Sequence, residues 1–187
     1  YEYVYKLAEL FIGMGHHVKM LVKHRTKSKD FIIQYRYPHL KNSLTDRIIS
    51  KIKQKINPSP KPIFETHGAY CFISKDETSV NIDVQSALHQ IGFTPDYIFS
   101  GMTDGFMNST DLLNLQKLTK AKVYNITVDM NHFTGGCHFA WDCMGYIEGC
   151  GDNCPAIKKG NKNTAKINFD TKLKNAKEGD FQIFTGS

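Results

Sequence analysis

The stretch PDYIFSGMTDGFMNSTDLLNLQKLTKAKVYNITV, residues 95–128, decides the fold. Asp96 to Ser100 is short, β-branched and aromatic, and reads as a buried strand. GMTDGFMN (101–108) is a loop, with Gly101 and Gly105 permitting unusual backbone angles and close ligand approach. STDLLNLQKLTK (109–120) places Leu112, Leu113, Leu115 and Leu118 at helical spacing, with Ser109 or Thr110 as the expected cap. Val123 to Val128 is a second strand. A strand, a helix and a strand in this order make a right-handed parallel crossover, so the expected class is α/β with a mostly parallel, Rossmann-like sheet flanked by helices.

Working outward, 3–14 reads as a helix with Val4, Leu7, Ala8, Leu10 and Phe11 on one face and Gly15 as its cap, followed by a strand over 18–22. No strand precedes that helix, although a parallel unit calls for one, and the chain opens on Tyr1 rather than Met; both lead to the expectation of a fragment. Residues 44–56 form an expected helix, capped by Thr45 or Asp46, with an isoleucine stripe against four basic residues. It reads either as a solvated helix on a core or as a membrane-surface helix. A helix over 84–91 ends at Gly92, and 182–185 begins a last strand.

The 187 residues are 41% apolar and 22% charged, enough for one domain with a sizeable core, and too apolar for a disordered tail. No apolar run approaches the ~18 residues of a membrane span, and no secretory leader pattern is visible. The net charge of +6 is unevenly spread. Residues 1–64 hold 13 Lys and Arg against 4 Asp and Glu, 75–154 hold 4 against 10, and 155–187 hold 7 against 3. A basic first third beside an acidic middle reads as a polarised surface, which suits an anionic membrane, a phosphorylated substrate or nucleic acid without choosing among them. A cytoplasmic chain is expected, peripheral at most to an anionic membrane.

Ligands of open α/β sheets sit beyond the carboxyl ends of the strands. Thr103, Asp104 and Gly105 lie there after the first strand, the two polar side chains suited to sugar hydroxyls. DMNHFTGGCHFAWDCMGYIEGCGDNCP, residues 129–155, follows the second. A loop of that length needs a function or a staple. Cys137, Cys143, Cys150 and Cys154, spaced C-x5-C-x6-C-x3-C, can supply a closed zinc site, with His132 and His138 as spare ligands. Disulfides or free thiols, and thiol redox chemistry, are the other readings of the cluster; Cys71 reads as a core residue. Asp129 is placed for a ligand hydroxyl or for a turn cap, and His132 for a general base. No GxxxxGK[ST], GxSxG or HExxH pattern occurs.

PDYIFSGMTDGF (95–106), ITVDM (126–130), FTGGCH (133–138) and the later Cys143 and GCGDNCP (149–155) resemble family 4 glycosyltransferases of bacterial capsular and exopolysaccharide synthesis. YKLAELFIGMGHHVKMLV (5–22) is similar to the first helix and second strand of their N-terminal domain, while 24–64 matches only loosely. The resemblance implies a GT-B fold, two Rossmann-like domains facing across a cleft. Residues 1–187 would be the acceptor-side domain without its first strand, 129–155 a Cys-rich insertion within it, and the donor domain absent. It implies a retaining transfer from a nucleotide sugar, held mainly by the absent domain, to a glycan or lipid-linked saccharide. No catalytic metal is then expected, any zinc is structural, and nucleic acid is not a partner. It carries over Asp129, Thr134, Gly135 and Gly136 as acceptor-binding residues, beside Thr103, Asp104, Gly105 and His132, and the four clustered cysteines as metal ligands. The family's histidine before its DMW motif falls on Val128, its tryptophan on Asn131, and its HLH reads SGM at 100–102. The other reading is a zinc-stapled binding module, for nucleic acid or protein, without activity.

Overall fold

A computed structural model describes residues 2–38, 64–73, 76–151 and 153–185; the helix expected over 44–56 lies outside them. The chain is mixed α/β, with mostly parallel sheets flanked by helices. In order come α1 (Glu2–Gly13), β1 (Met20–Val22), β2 (Ile32–Gln34), β3 (Glu65–Thr66), α2 (Val84–Ile91), β4 (Tyr97–Ser100), α3 (Ser109–Thr119), β5 (Lys122–Thr127), α4 (Gly145–Glu148), β6 (Ile157–Lys159), α5 (Asn163–Glu178) and β7 (Gln182–Thr185). Instead of one continuous sheet, the described strands make a parallel pair β1–β2, a parallel trio β4–β5–β7 and an antiparallel pair β3–β6. Among these helices none is long and apolar enough to cross a membrane.

The trio is parallel, with Ile98 opposite Val123 and Asn125 opposite Ile183, as the strand–helix–strand order requires. Val123 is fully buried and Leu112, Leu113 and Leu115 of α3 are buried with it, whereas Leu118 is 46% exposed and lies off the expected face. The cap of α3 is Asn108, one residue before the expected Ser109. Its side chain accepts from Asp111 N at 3.0 Å, and the Asp111 carboxylate accepts from Asn108 N at 3.1 Å, a reciprocal capping box. The same carboxylate, wholly buried, also accepts from Asn81 N and Ile82 N, at 2.9 and 3.3 Å, and so ties the approach to α2 onto α3.

Helix α1 buries Tyr5 and Ala8, while Leu10 of the expected apolar face stands 59% exposed. It touches both parallel sheets, Tyr5 on Phe31 before β2 and Phe11 on Phe99 of β4. Lys23, after β1, donates to Gly105 O at 2.6 Å across the two sheets. Ser100 Oγ and Asn125 Oδ1 are buried without a hydrogen-bond partner among the described residues.

Helix α5 packs on α3 and on the Cys-rich loop through Ala165, Asn168, Lys172 and Asn175, all buried. These positions recur every three or four residues, one face of a helix. Three of the four are polar, so this face meets hydrogen-bonding partners rather than a hydrocarbon core.

Candidate functional site

The loops leaving the C-terminal ends of β4 and β5 meet. They form a shallow depression lined by Thr103, Asp104, Asp129, Asn131 and His132, with Gly101, Met102 and Val128 at its rim. Its enclosed volume is about 10 Å³, room for roughly one water and far below the ~300 Å³ at which small-molecule cavities begin, so it is a surface contact region rather than a closed pocket.

His138 holds the two loops together. The ring is 3% exposed, with Nδ1 2.8 Å from Asp129 Oδ2 and Nε2 3.0 Å from Asp104 Oδ2. Asn131 Nδ2 sits 3.1 Å from the same Nε2 and donates to Asp104 Oδ1 at 3.0 Å. A neutral ring donating from Nδ1 to Asp129 accepts from Asn131; a protonated ring donates to both carboxylates. Either way both ring nitrogens face these partners. His138 is thus a bridge between carboxylates and is unavailable as a spare zinc ligand.

The orientation of Asn131 is fixed from behind by Lys172. This buried ammonium donates to Asn131 O and Asn131 Oδ1, both at 2.8 Å, and to Thr134 O at 3.2 Å. A cation can face only the amide oxygen, so the Asn131 NH2 must point to Asp104 and His138. Glu77 balances Lys172 at 3.6 Å and is itself held by Ser109 N and Oγ, at 3.0 and 2.9 Å, at the start of α3. Burial pulls the Lys172 ammonium below its ordinary range, and Glu77 and Asp104 oppose that shift. Burial, and then Lys172, also hold the His132 imidazole below its ordinary range, so at pH 7 it is a neutral acceptor or base on the depression.

Thr103, Asp104, Asp129 and His132 of the expected acceptor set therefore come together. Asp129 serves the turn as well, accepting from Asn131 N at 2.9 Å. Gly105 turns the loop with φ 66° and presents its carbonyl to Lys23. Thr134, Gly135 and Gly136 are buried and away from the depression's lining. Thr134 Oγ1 donates to Cys137 O, Gly136 O accepts from Ile73 N, and Gly135 lies directly against the backbone of Ala165 in α5. Glu77, Asn131 and Lys172 were not marked by the sequence, because no motif joins residues so far apart.

The four clustered cysteines are free thiols, all half-buried. Among the described residues no three His, Cys, Asp or Glu side chains stand as a preformed metal-ligand group. Two of the thiols contact each other. Cys137 donates to Cys154; that bond and burial push Cys137 up, while the same bond and the backbone N–H groups of Ala156 and Ile157 bring Cys154 down to about 6. Cys150 Sγ accepts from Gly135 N at 3.4 Å. Cys143 Sγ lies against Gly145, at the start of α4. Backbone N–H donors aimed at sulfur stabilise thiolates, the form that binds zinc. Cys71 is half-buried at φ 46°, and its neighbour Phe72 takes the core position.

Comparison with protein-family models, with curated proteins and with solved structures finds no match to this chain.

Proposed function

We propose that this chain is the acceptor-binding domain of a retaining glycosyltransferase of GT-B architecture, acting in polysaccharide synthesis. The observation that carries the reading is the convergence of Asp104 and Asp129 on His138 at the C-terminal ends of adjacent parallel strands. Segments 95–106, 126–130 and 133–138, which carry the sequence resemblance, supply these three residues and meet in one place. Carboxylates beside a neutral imidazole suit the hydroxyls of a sugar acceptor, and a depression open to solvent suits one wall of an interdomain cleft. The acceptor is a glycan or a lipid-linked saccharide, and the donor a nucleotide sugar held mainly by a second domain. The basic first third of the chain suits peripheral contact with an anionic inner-membrane face.

On the same reading Cys137, Cys143, Cys150 and Cys154 hold a structural zinc that fixes the loop behind the depression. Zinc there supplies folding energy and no chemistry. The test is sugar transfer by the product of the complete gene, with UDP- and GDP-sugars and lipid-linked acceptors. The reading expects a second Rossmann-like domain within about 200 residues after Ser187. It also expects loss of transfer in Asp129→Asn. Transfer unchanged by that substitution overturns the acceptor role of Asp129, and no transfer with any donor and acceptor pair, or a reading frame that closes at Ser187, overturns the enzyme reading in favour of a zinc-stapled binding module.

A further inference from the structure

The Cys-rich loop displays a row of large apolar side chains: Phe139, Trp141, Met144 and Ile147 are 50%, 66%, 55% and 63% exposed. Trp141 is unusual in two ways. Its backbone lies in the left-handed region at φ 48°, which is costly for a bulky side chain. Its indole N–H is already spent on Ala69 O at 2.7 Å, so the ring is pinned while most of its surface faces solvent. Phe139 lies beside it, ring centroids 6.0 Å apart and planes 37° from each other. A strained, pinned and exposed aromatic pair is built for contact with something outside the chain.

What it contacts follows from its surroundings. Phe139 directly follows His138, whose ring holds Asp104 and Asp129, so the chain that carries the pair leaves from the wall of the site. Asp142, exposed, directly follows Trp141, and the exposed Glu148 lies further along the same acidic middle of the chain. An acidic residue next to Trp141 in an acidic stretch disfavours phosphate-bearing partners and anionic lipid, and a carboxylate accepts hydrogen bonds from hydroxyls. A saccharide presents apolar C–H faces ringed by hydroxyls, which matches both features.

We propose that Phe139 and Trp141 form a stacking platform for a neutral sugar residue of the acceptor, one unit or more from the end seated at Asp104 and Asp129. This rests on the acceptor reading above. Trp141 is the chain's single tryptophan, so its fluorescence reports the platform directly. The intact chain is titrated with cello-, malto- and chitotetraose to about 10 mM, enough to saturate a Kd of ~1 mM. Anionic phosphatidylglycerol vesicles are run beside them. The platform predicts a saccharide-induced change in Trp141 emission and protection from acrylamide quenching. Affinity should fall about tenfold in Phe139→Ala, which keeps the reporter. It should fall similarly in Trp141→Ala followed by calorimetry, with melting curves near wild type. Binding lost in Asp104→Asn but untouched by both aromatic substitutions overturns the platform and leaves the acceptor site standing. A response to vesicles alone overturns the platform in favour of lipid. No saccharide binding to the wild-type chain overturns both readings.

Discussion

Gly135→Ala tests how the site is braced. A Cβ at Gly135 would stand 2.7 and 2.8 Å from the carbonyl carbon and Cα of Ala165, and closer still to its oxygen, against 3.4 Å for the tightest ordinary contact. All three atoms are backbone, so no side chain can swing away. Relief requires α5 to withdraw by about 1 Å, and at that distance packed atoms forfeit much of their dispersion energy. Ala165, Asn168 and Lys172 withdraw with it, weakening the Asn168 Nδ2 bond to Gly135 O (3.0 Å) and the Lys172 bonds to Asn131 and Thr134. Overpacking against side chains costs ~1–3 kcal/mol, and a rigid backbone neighbour places this case at about 3 kcal/mol. For a chain of this size that is a fall of about 6–12 °C in Tm. Urea unfolding with an unchanged m-value measures it. Gly68→Ala is the control, since nothing lies within 4 Å of a Cβ there. A Gly135→Ala protein within about 0.5 kcal/mol of wild type, the range of neutral surface changes, refutes the packing argument.

Three further outcomes follow from the buried polar groups. Asp111→Ala strands the backbone N–H groups of Asn81, Ile82 and Asn108 and should cost about 3 kcal/mol or more in urea unfolding; a loss below about 1 kcal/mol, a single cap's worth, contradicts its role as a hub. Lys172→Met leaves Glu77 buried without its cation and Asn131 without its brace. It should cost about 3–5 kcal/mol, and the double change Glu77→Gln with Lys172→Met should recover part of that. In zinc-free protein Cys154 should alkylate near neutral pH, its rate rising through about pH 6, ahead of Cys150 and with Cys137 behind both. The sign follows: a thiol lowered in the folded chain contributes stability above its ordinary pKa and loses it as pH falls through about 6. Added zinc should protect all four clustered cysteines and raise Tm; even labelling with and without zinc contradicts the staple.

The crossover of β4, α3 and β5 was legible because each element carries one dominant period and a glycine or polar break at its ends. Asp104 and Asp129 were legible as strand-end acids for the same reason. Helix α5 was not. Its buried face is Ala165, Asn168, Lys172 and Asn175, while Ile167 and Leu173 are 41% and 44% exposed, so hydrophobic periodicity carries no signal there. Strand β3, at two residues, is too short to show alternation. His138 was read as a metal candidate because sequence shows its neighbours in the chain, Cys137 foremost, and not the two carboxylates that fold onto its ring. Thr134, Gly135 and Gly136 were read as ligand-facing, whereas the α5 backbone occupies the space a side chain at Gly135 would need.

The most direct test of the account is amide chemical-shift mapping of this chain against a neutral oligosaccharide, with RNA as the competing probe. The account predicts saccharide-dependent shifts gathered at 101–104 and 128–132, spreading to 139–141, and none from RNA. Salt-sensitive shifts from RNA over the basic first third, with the strand-end loops silent to saccharide, would contradict it.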